Sequence, residues 1–182
     1  MARLLITGTT GGIGGAIKIA ALSRGFEVRE LNRCDDFSVL PEGEFDALIF
    51  ATGMNEVLPV TLLSDEKFAA MIEANVGLFL KAVRAFVKGK RYNPGGAKII
   101  AISSVSAKEG WSGGAAYCAS KGALSAMCRA LNEELRPKKI EVIALEPEYV
   151  KTKMFFATAG RMGIKDALEP NVFAAQVLEK LK

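Results

Sequence analysis

The chain has 182 residues, of which 50% are hydrophobic, with 24 basic and 20 acidic side chains, a formal charge of +4 and no histidine. The lack of histidine excludes Ser-His-Asp and Cys-His nucleophiles, histidine-ligated metal sites and imidazole pH switches. Basic residues are scattered among acids, which argues against a nucleic-acid partner and indicates at most an anionic ligand. At this length we expect one domain, residues 1–182.

The cysteines and the first residues bear on location. Cys34, Cys118 and Cys128 are odd in number and have no Cys-x-x-Cys spacing, which favours reduced thiols and a cytoplasmic protein. The N-terminal residues show no signal-peptide pattern, and no apolar run reaches the ~18 residues of a membrane span. We therefore expect a soluble protein with no membrane partner and no metal.

Short apolar segments alternate with amphipathic stretches along the chain. The apolar segments predict buried parallel strands at 3–7, 26–31, 45–51, 97–103 and 140–145. The amphipathic stretches predict helices at 16–23, about 65–88, about 115–136, and from 169 or 171 to 181. This alternation predicts an α/β fold, a doubly wound, Rossmann-like parallel sheet in three αβα layers.

A glycine-rich segment lies between the first strand and the first helix. It reads Thr7-Gly8-Thr9-Thr10-Gly11-Gly12-Ile13-Gly14-Gly15. Glycines at this place let the backbone approach a pyrophosphate, whose charge is met by the free N–H groups of the helix. A tight structural turn is the alternative, but the strand before and the helix after favour dinucleotide binding.

The second strand ends at Leu31-Asn32-Arg33, where an acid would bind a ribose 2′-hydroxyl and an arginine would pair with a 2′-phosphate. Asn32 leaves the acidic position empty and Arg33 follows it, so NADP(H) is the preferred cofactor. An ordinary exposed arginine is the alternative interpretation. Asp35 and Asp36 could reverse the preference, so NAD(H) stays an alternative cofactor.

One polar residue interrupts the apolar face of the helix at 65–88. That face contains Phe68, Ile72, Asn75, Phe79, Val83 and Phe86, and its spacing predicts contact with the sheet. A buried amide needs hydrogen-bond partners. Asn75 is therefore either a satisfied core residue or a group that holds water and backbone in place, and periodicity alone favours the first.

The helix at 115–136 begins with a phenol and an ammonium one turn apart. Tyr117 and Lys121 head an apolar stripe of Leu124, Cys128, Leu131 and Leu135. A fixed cation nearby would lower the pKa of Tyr117 and make it a proton donor and acceptor, although such a pair is more often a surface feature. Ser103, Ser104 and Ser106 follow a central strand, where a hydroxyl can polarise a carbonyl.

Together these segments resemble the short-chain dehydrogenase/reductase family from residue 1 to about 154. The loop at 7–14 matches the family pattern T-G-x-x-x-G-x-G, and residues 117–121 match Y-x-x-x-K. Ser104 lies thirteen residues before Tyr117, as the catalytic serine of the family usually does. Asn75 matches the helix asparagine of the family tetrad, which favours the functional interpretation of that residue.

The resemblance implies hydride transfer between a nicotinamide and a small carbonyl or alcohol substrate. Tyr117 would donate the proton, Lys121 would lower the pKa of Tyr117 and bind the nicotinamide ribose, Ser104 would hold the substrate oxygen, and Asn75 would anchor a relay water. The implied cofactor-binding residues are Gly8, Thr10, Gly12, Ile13, Gly14, Asn32, Arg33, Ala51, Thr52, Gly53, Tyr117, Lys121, Pro147, Val150 and Thr152.

Several departures from the family pattern predict a shortened member. Phe50-Ala51-Thr52-Gly53 stands where the family has N-N-A-G, and Glu148 replaces the glycine after Pro147. The eleven residues between Arg33 and Phe45 are too few for a strand and a crossover helix, so a short strand or loop is expected there. The chain also ends after a helix, where the family normally continues into a final strand.

These departures leave a non-catalytic NADP(H)-binding sensor or regulatory module as the alternative function. A row of small residues on the 115–136 helix permits close helix approach, and the family commonly dimerises through this helix and the one at 65–88. A homodimer is therefore expected, with packing on the protein's own sheet as the alternative. An apolar substrate pocket is suggested by Trp111, Tyr149, Met154, Phe155, Phe156 and Met162.

Overall fold

The computed structural model describes residues 1–158 and 164–181. Its centre is a five-stranded sheet in the order β2-β1-β3-β4-β5, in which every neighbouring pair is parallel. The strands are β1 (Arg3–Thr7), β2 (Glu27–Leu31), β3 (Ala47–Phe50), β4 (Ala97–Ile102) and β5 (Ile140–Leu145). The predicted doubly wound α/β fold is confirmed, and the predicted strand boundaries differ by at most two residues.

Helices cover both faces of the sheet. They are α1 (Gly12–Ser23), α2 (Asp65–Ile72), α3 (Leu78–Lys88), α4 (Ala115–Leu135), α5 (Lys153–Ala157) and α6 (Pro170–Glu179). Alternate strand residues point to opposite faces, so Ile6 packs with Ile17 of α1 and Val177 of α6. Leu5 packs on the other side with Phe79 of α3 and Leu124 of α4. Helix α1 begins four residues earlier than predicted, inside the glycine-rich segment.

An irregular loop replaces a strand and crossover helix at residues 32–46. It anchors itself to the core through Phe37, which is 1% exposed, and Leu40. The Phe37 ring meets the edge of the Phe50 ring at a centroid distance of 6.2 Å, and Phe50 meets Phe79 at 5.3 Å. The expected shortening is therefore confirmed as a loop, and β2 is an edge strand of the sheet.

The predicted helix at 65–88 is divided by a π-helical segment, Glu73–Gly77. Ser64 caps α2 by accepting a hydrogen bond from the Lys67 amide, and α3 continues on the far side of the segment. A π turn inserts an extra residue and rotates the faces before and after it. The prediction that Phe68 faces the sheet is wrong: Phe68 is 41% exposed, and Met71 is buried in its place.

Helix α4 has one buried and one exposed face. Lys121, Leu124, Cys128 and Leu135 are buried, as predicted, whereas the small-residue row of Ala119, Ala123, Ala126 and Ala130 is exposed. Packing of that row on the protein's own sheet is therefore ruled out. Within the described ranges, no helix combines the length and apolar composition that a bilayer crossing demands.

Candidate active site

A cleft of about 130 Å³ opens where the strands end, at the carboxyl edge of the sheet. Open parallel sheets bind ligands at this edge because each strand delivers the first residues of its following loop there. The cleft is lined by Ile13, Asn55, Ser103, Ser104, Val105, Ser106, Trp111, Tyr117, Pro147, Glu148, Tyr149, Val150, Thr152, Met154, Phe155 and Thr158. It therefore unites the loops after β1, β3, β4 and β5 with the first turn of α4.

Lys121 lies one helical turn beyond Tyr117, on the same face of α4. Its Nζ donates a hydrogen bond of 2.8 Å to the carbonyl oxygen of Ile102, the last residue of β4. The same nitrogen lies 5.7 Å from the centroid of the Tyr117 ring. The sequence thus correctly pairs the two side chains, and the end of β4 holds the ammonium in place.

Burial controls the protonation of both groups. It raises the pKa of Tyr117 to about 12, with the neighbouring Cys118 adding to the rise and a hydrogen bond to Ser104 opposing it. Burial also lowers the pKa of Lys121 to about 8. The predicted lowering of the Tyr117 pKa is therefore not observed, because desolvation of the phenolate outweighs the opposing hydrogen bond to Ser104.

Three serines follow β4: Ser103 has a structural role, whereas Ser104 and Ser106 face the cleft. Ser103 is turned inward, where its Oγ lies 2.8 Å from Ser125 Oγ and 3.2 Å from the Lys121 carbonyl. Ser104 bonds Tyr117 and accepts a hydrogen bond from the Ser106 amide. Ser106 in turn accepts a hydrogen bond from Trp111 Nε1 at 3.1 Å. Ser104 is thus the serine placed beside the phenol, as predicted.

Asn75 lies in the π-helical segment and is fully buried. Its Oδ1 accepts a hydrogen bond of 2.8 Å from the Met54 amide, and its Nδ2 donates to the Met54 carbonyl at 3.0 Å and to Ser120 Oγ at 2.8 Å. A Cβ on Gly53 would lie only 2.9 Å from Asn75 Oδ1. Asn75 therefore fixes the segment after β3 against α4, a role that periodicity did not reveal.

The glycine-rich loop has the close contacts that exclude side chains. Gly8 has φ of +70°, and a Cβ there would lie 2.9 Å from the Ala51 carbonyl oxygen and the Thr52 amide. A Cβ on Gly12 would lie 2.5 Å from Thr152 Cγ2, which closes the loop against the segment after β5. Gly11 caps α1 without a side chain, so it leaves the helix N–H groups open to an anion.

A hydroxyl replaces the strand-linking asparagine that the family pattern places after β3. Thr7 Oγ1 accepts hydrogen bonds from the Ala51 amide at 3.1 Å and the Thr52 amide at 3.2 Å, and it lies 2.9 Å from Thr52 Oγ1. Thr52 is therefore turned into the structure, and backbone groups at Ala51–Gly53 are what this segment can offer to a cofactor. The sequence did not single out Thr7 for this role.

The residues at the end of β2 are partly used by the protein itself. Asn32 Oδ1 accepts hydrogen bonds from Thr9 Oγ1 at 3.2 Å and from the Thr10 amide at 3.3 Å, which fastens the glycine-rich loop to β2. The exposed Arg33 donates a hydrogen bond of 3.2 Å to the Gly53 carbonyl. The guanidinium thus lies across the carboxyl edge between β2 and β3, beside the predicted cofactor loop.

The segment after β5 forms one wall of the cleft. Pro147, Val150 and Thr152 are all present there, and Glu148 adds an exposed carboxylate. Of the predicted pocket residues, Trp111, Tyr149, Met154 and Phe155 line the cleft. Phe156 is exposed instead, because α5 turns it outward, and Met162 lies outside the described residues.

Comparison with known proteins shows which family this chain matches. The profile of the family described as short chain dehydrogenase matches residues 38–160, which is more than half of the chain. The chain belongs to the short chain dehydrogenase family. The matched region includes Asn75, Ser104, Tyr117 and Lys121, whereas the glycine-rich loop precedes it.

Curated relatives of this short chain dehydrogenase include two reductases of known substrate. A diacetyl reductase, (S)-acetoin forming, of Staphylococcus aureus is 28% identical over 156 residues, which cover 80% of this chain and 60% of the relative. A 3-oxoacyl-acyl-carrier-protein reductase of Rickettsia felis is 29% identical over 177 residues, which cover 82% of this chain and 73% of that relative. The chain therefore spans 60% of the length of the staphylococcal relative.

Solved structures share the fold of this short chain dehydrogenase. Ligand-free aldohexose dehydrogenase of Thermoplasma acidophilum matches with a TM-score of 0.84 at 18% identity, over 97% of this chain and 85% of that one. A short chain dehydrogenase of Burkholderia cenocepacia in complex with NADP matches with a TM-score of 0.83 at 23% identity, over 99% and 84%. At these identities the likeness supports the fold alone.

Proposed function

We propose that the protein is an NADP(H)-dependent oxidoreductase that transfers a hydride between nicotinamide and a small carbonyl or alcohol compound. In this proposal residues 1–182 are one cofactor-binding domain. The observation that carries it is that Ser104 and Tyr117 line one cleft at the carboxyl edge, with Lys121 Nζ 5.7 Å from the Tyr117 ring. The reductase names of the relatives agree with this reaction class.

The residues beside the cleft fit a dinucleotide. Gly8, Gly12 and Gly14 occupy the positions of this loop where a Cβ would meet neighbouring atoms. The first N–H groups of α1 have no side-chain cap, so they suit a pyrophosphate. The nicotinamide end would be held by Ile13, Pro147, Val150 and Thr152, with Tyr117 and Lys121 beside its ribose. Backbone groups of Ala51, Thr52 and Gly53 would complete the middle of the site.

The protein's own groups supply the proton chemistry. The reduced nicotinamide supplies a hydride to a carbonyl carbon when it is bound. Tyr117 is protonated at neutral pH, with its pKa at about 12, so it carries the proton that the carbonyl oxygen would accept. Ser104 would bond that oxygen, and the Lys121 ammonium would stabilise the phenolate that remains. Asn75 holds the backbone of this site, and we keep its role in anchoring a relay water as part of the proposal.

Turnover distinguishes this function from its rival. We expect a panel of small ketones and aldehydes to be reduced with NADPH, measured at 340 nm, and Tyr117→Phe to lose at least about a hundredfold in kcat. The rival is a non-catalytic NADP(H) sensor, which is favoured by the high pKa of Tyr117 and the Glu148 carboxylate in the cleft. NADPH-dependent thermal protection without any Tyr117-dependent turnover would support the sensor.

The preference for NADP(H) rests on Arg33. Its guanidinium lies at the end of β2 and reaches Gly53, where a 2′-phosphate on an adenosine ribose would come within reach. We expect Arg33→Ala to weaken NADPH binding by about tenfold and to change NADH binding little. Isothermal titration with both cofactors measures this, and an unchanged NADPH affinity would remove the role given to Arg33.

The assembly and location are parts of the same proposal. We propose a homodimer through the helices at 65–88 and 115–136, supported by the exposed alanine row on α4 and the exposed Phe68. The cysteines Cys34, Cys118 and Cys128 are free thiols, which suits a cytoplasmic location. No nucleic-acid, membrane or metal partner enters the proposal.

A further inference from the structure

Asn55 brings an amide into the cleft that the catalytic groups do not use. It follows Met54, whose amide and carbonyl are both bound by the Asn75 side chain, so its position is fixed. Among the described residues, its Oδ1 is the one buried side-chain oxygen or nitrogen that has no hydrogen-bond partner. Leaving a buried carbonyl oxygen unpaired costs folding free energy, so a ligand that bonds it recovers that cost.

Three of the other polar side chains that line the cleft already have partners within the protein. Ser106 accepts from Trp111, Thr152 accepts from the Phe155 amide, and Thr158 donates to the Met154 carbonyl. Asn55 Oδ1 is therefore an unused hydrogen-bond acceptor on the same cleft as Ser104 and Tyr117. No hydrogen bond recorded for the described residues holds the Asn55 amide, so rotation about its last side-chain bond can turn the carbonyl oxygen toward the cleft while the amide nitrogen takes the buried place.

The charge of the cleft narrows the class of ligand. Glu148 is the one carboxylate among the described lining residues, and neither lysine nor arginine is among them. A carboxylate or phosphate on the substrate would therefore meet a like charge and find no counter-ion there. The cleft suits an uncharged compound that donates a hydrogen bond.

We propose that Asn55 Oδ1 accepts a hydrogen bond from a substrate hydroxyl next to the reacting carbonyl. The substrate class is then the small, uncharged hydroxy-ketones and hydroxy-aldehydes. This inference rests on the proposed reductase function, which it deepens by naming the substrate. A site that bonds a substrate hydroxyl rejects the analogue that lacks it, because its own polar group is then left unpaired.

Three ketones of similar size test the inference. Hydroxyacetone donates the hydrogen bond, methoxyacetone keeps the electron-withdrawing oxygen without the donor, and butanone has neither. With NADPH we expect kcat/KM for hydroxyacetone to exceed that for methoxyacetone by about tenfold or more. Equal values for these two ketones would overturn the inference, because the electronic activation of their carbonyls is matched.

Two variants assign the preference to Asn55. Asn55→Leu should bring the hydroxyacetone-to-methoxyacetone ratio to within about threefold of one, whereas Asn55→Asp, which keeps an acceptor oxygen, should retain the preference. Asn171→Leu makes the same substitution on the exposed start of α6 and should keep the wild-type ratio. A wild-type ratio in Asn55→Leu would contradict the inference.

A binding measurement separates this inference from the proposed function. Trp111 is the chain's single tryptophan and lines the cleft, so its fluorescence reports ligand binding. In Tyr117→Phe loaded with NADP⁺, hydroxyacetone should bind about tenfold more tightly than methoxyacetone, and the added Asn55→Leu change should abolish the difference. This result without turnover in the wild type would refute the reductase and keep the hydroxyl site; turnover without a preference would do the reverse.

Discussion

Two ionisable side chains of the active site are held away from their ordinary pKa values by burial. Tyr117 gives up a proton less readily than a free phenol, and Lys121 gives one up more readily than a free ammonium. Both shifts come from the same low-polarity surroundings, which disfavour whichever form is charged. The surroundings therefore keep the Tyr117 phenol neutral at neutral pH.

The shift at Lys121 predicts a pH-dependent stability. An unfolded lysine has its ordinary pKa of 10.5, whereas the folded one titrates at about 8. Between these values the unfolded chain binds a proton that the folded chain does not, so the free energy of unfolding rises with pH by up to about 1.4 kcal/mol per unit.

We therefore expect wild type to gain stability relative to Lys121→Met between pH 7.5 and 9.5 in urea unfolding. Tyr117 and Cys128 are present in both proteins, so their contributions to the pH dependence of the free energy of unfolding largely cancel in the comparison. Parallel pH profiles for the two proteins would show that the ammonium is not desolvated.

The hydrogen bonds of Asn75 predict a large loss of stability when its amide is removed. Asn75→Ala leaves the Met54 amide and carbonyl without their side-chain partners in a buried place. We expect it to lower the free energy of unfolding by about 2–4 kcal/mol. Asn171→Ala on exposed α6 should cost about 0.5 kcal/mol or less, and urea titrations of both variants provide the check.

At the residue scale, the sequence predicts which side chains lie near the cleft better than it predicts their protonation or orientation. The positions of Ser104, Tyr117 and Lys121 follow from motif spacing and from the rule that strand ends carry ligand groups. The direction of the Tyr117 pKa shift does not, because it depends on how deeply the ring is buried by chain far away in sequence. The inward turn of Thr52 and the bond from Arg33 to Gly53 likewise depend on side-chain orientation, which no spacing encodes.

At the scale of single elements, the loop at 32–46 replaces a strand and a helix by a few aromatic contacts. Phe37 inserts between the loop and the sheet, and its neighbour Val39 is exposed. We expect Phe37→Ala to lower the free energy of unfolding by about 3–5 kcal/mol, since it opens a cavity against Phe50. Val39→Ala should change it by about 0.5 kcal/mol or less.

Chemical denaturation of the two loop variants tests this directly. If Phe37→Ala lowered the free energy of unfolding no more than Val39→Ala does, the loop would not be anchored through the Phe37 ring. The cofactor affinity of Phe37→Ala is a second readout, because the same loop leads from Arg33.

The elements also show what sequence patterns can and cannot reveal. Strands β1, β3, β4 and β5 were predictable because each is a short, largely buried apolar run, whereas β2 is an edge strand in which only Leu31 is buried. The π-helical segment was not, because residues 65–88 keep a helical apolar spacing on both sides of Asn75, and the extra residue appears only as a phase change. Phe68 is exposed because the π turn rotates the helix faces, which the sequence did not predict.

At the scale of the whole molecule, the exposed alanine row of α4 predicts self-association. Small side chains let two helices approach closely, and Phe68 adds an exposed aromatic ring on α2. We expect wild type to sediment at twice the chain mass at micromolar concentration. Ala126→Arg should give a monomer, because its side chain blocks close approach.

Gln176→Arg adds the same charge on the exposed side of α6 and should remain a dimer. Analytical ultracentrifugation distinguishes the species. A monomeric wild type across the concentration range would remove the dimer from the proposal.

The edge position of β2 has a consequence for how quickly a nucleotide could enter and leave. In the proposed complex, the adenosine half would lie beside β2, which is the edge strand of the described sheet and is followed by the loop at 32–46. Loops open at lower energetic cost than paired strands do. The two halves of the cofactor would then exchange unequally: the adenosine end would detach first, while the nicotinamide end stays under the segment after β5.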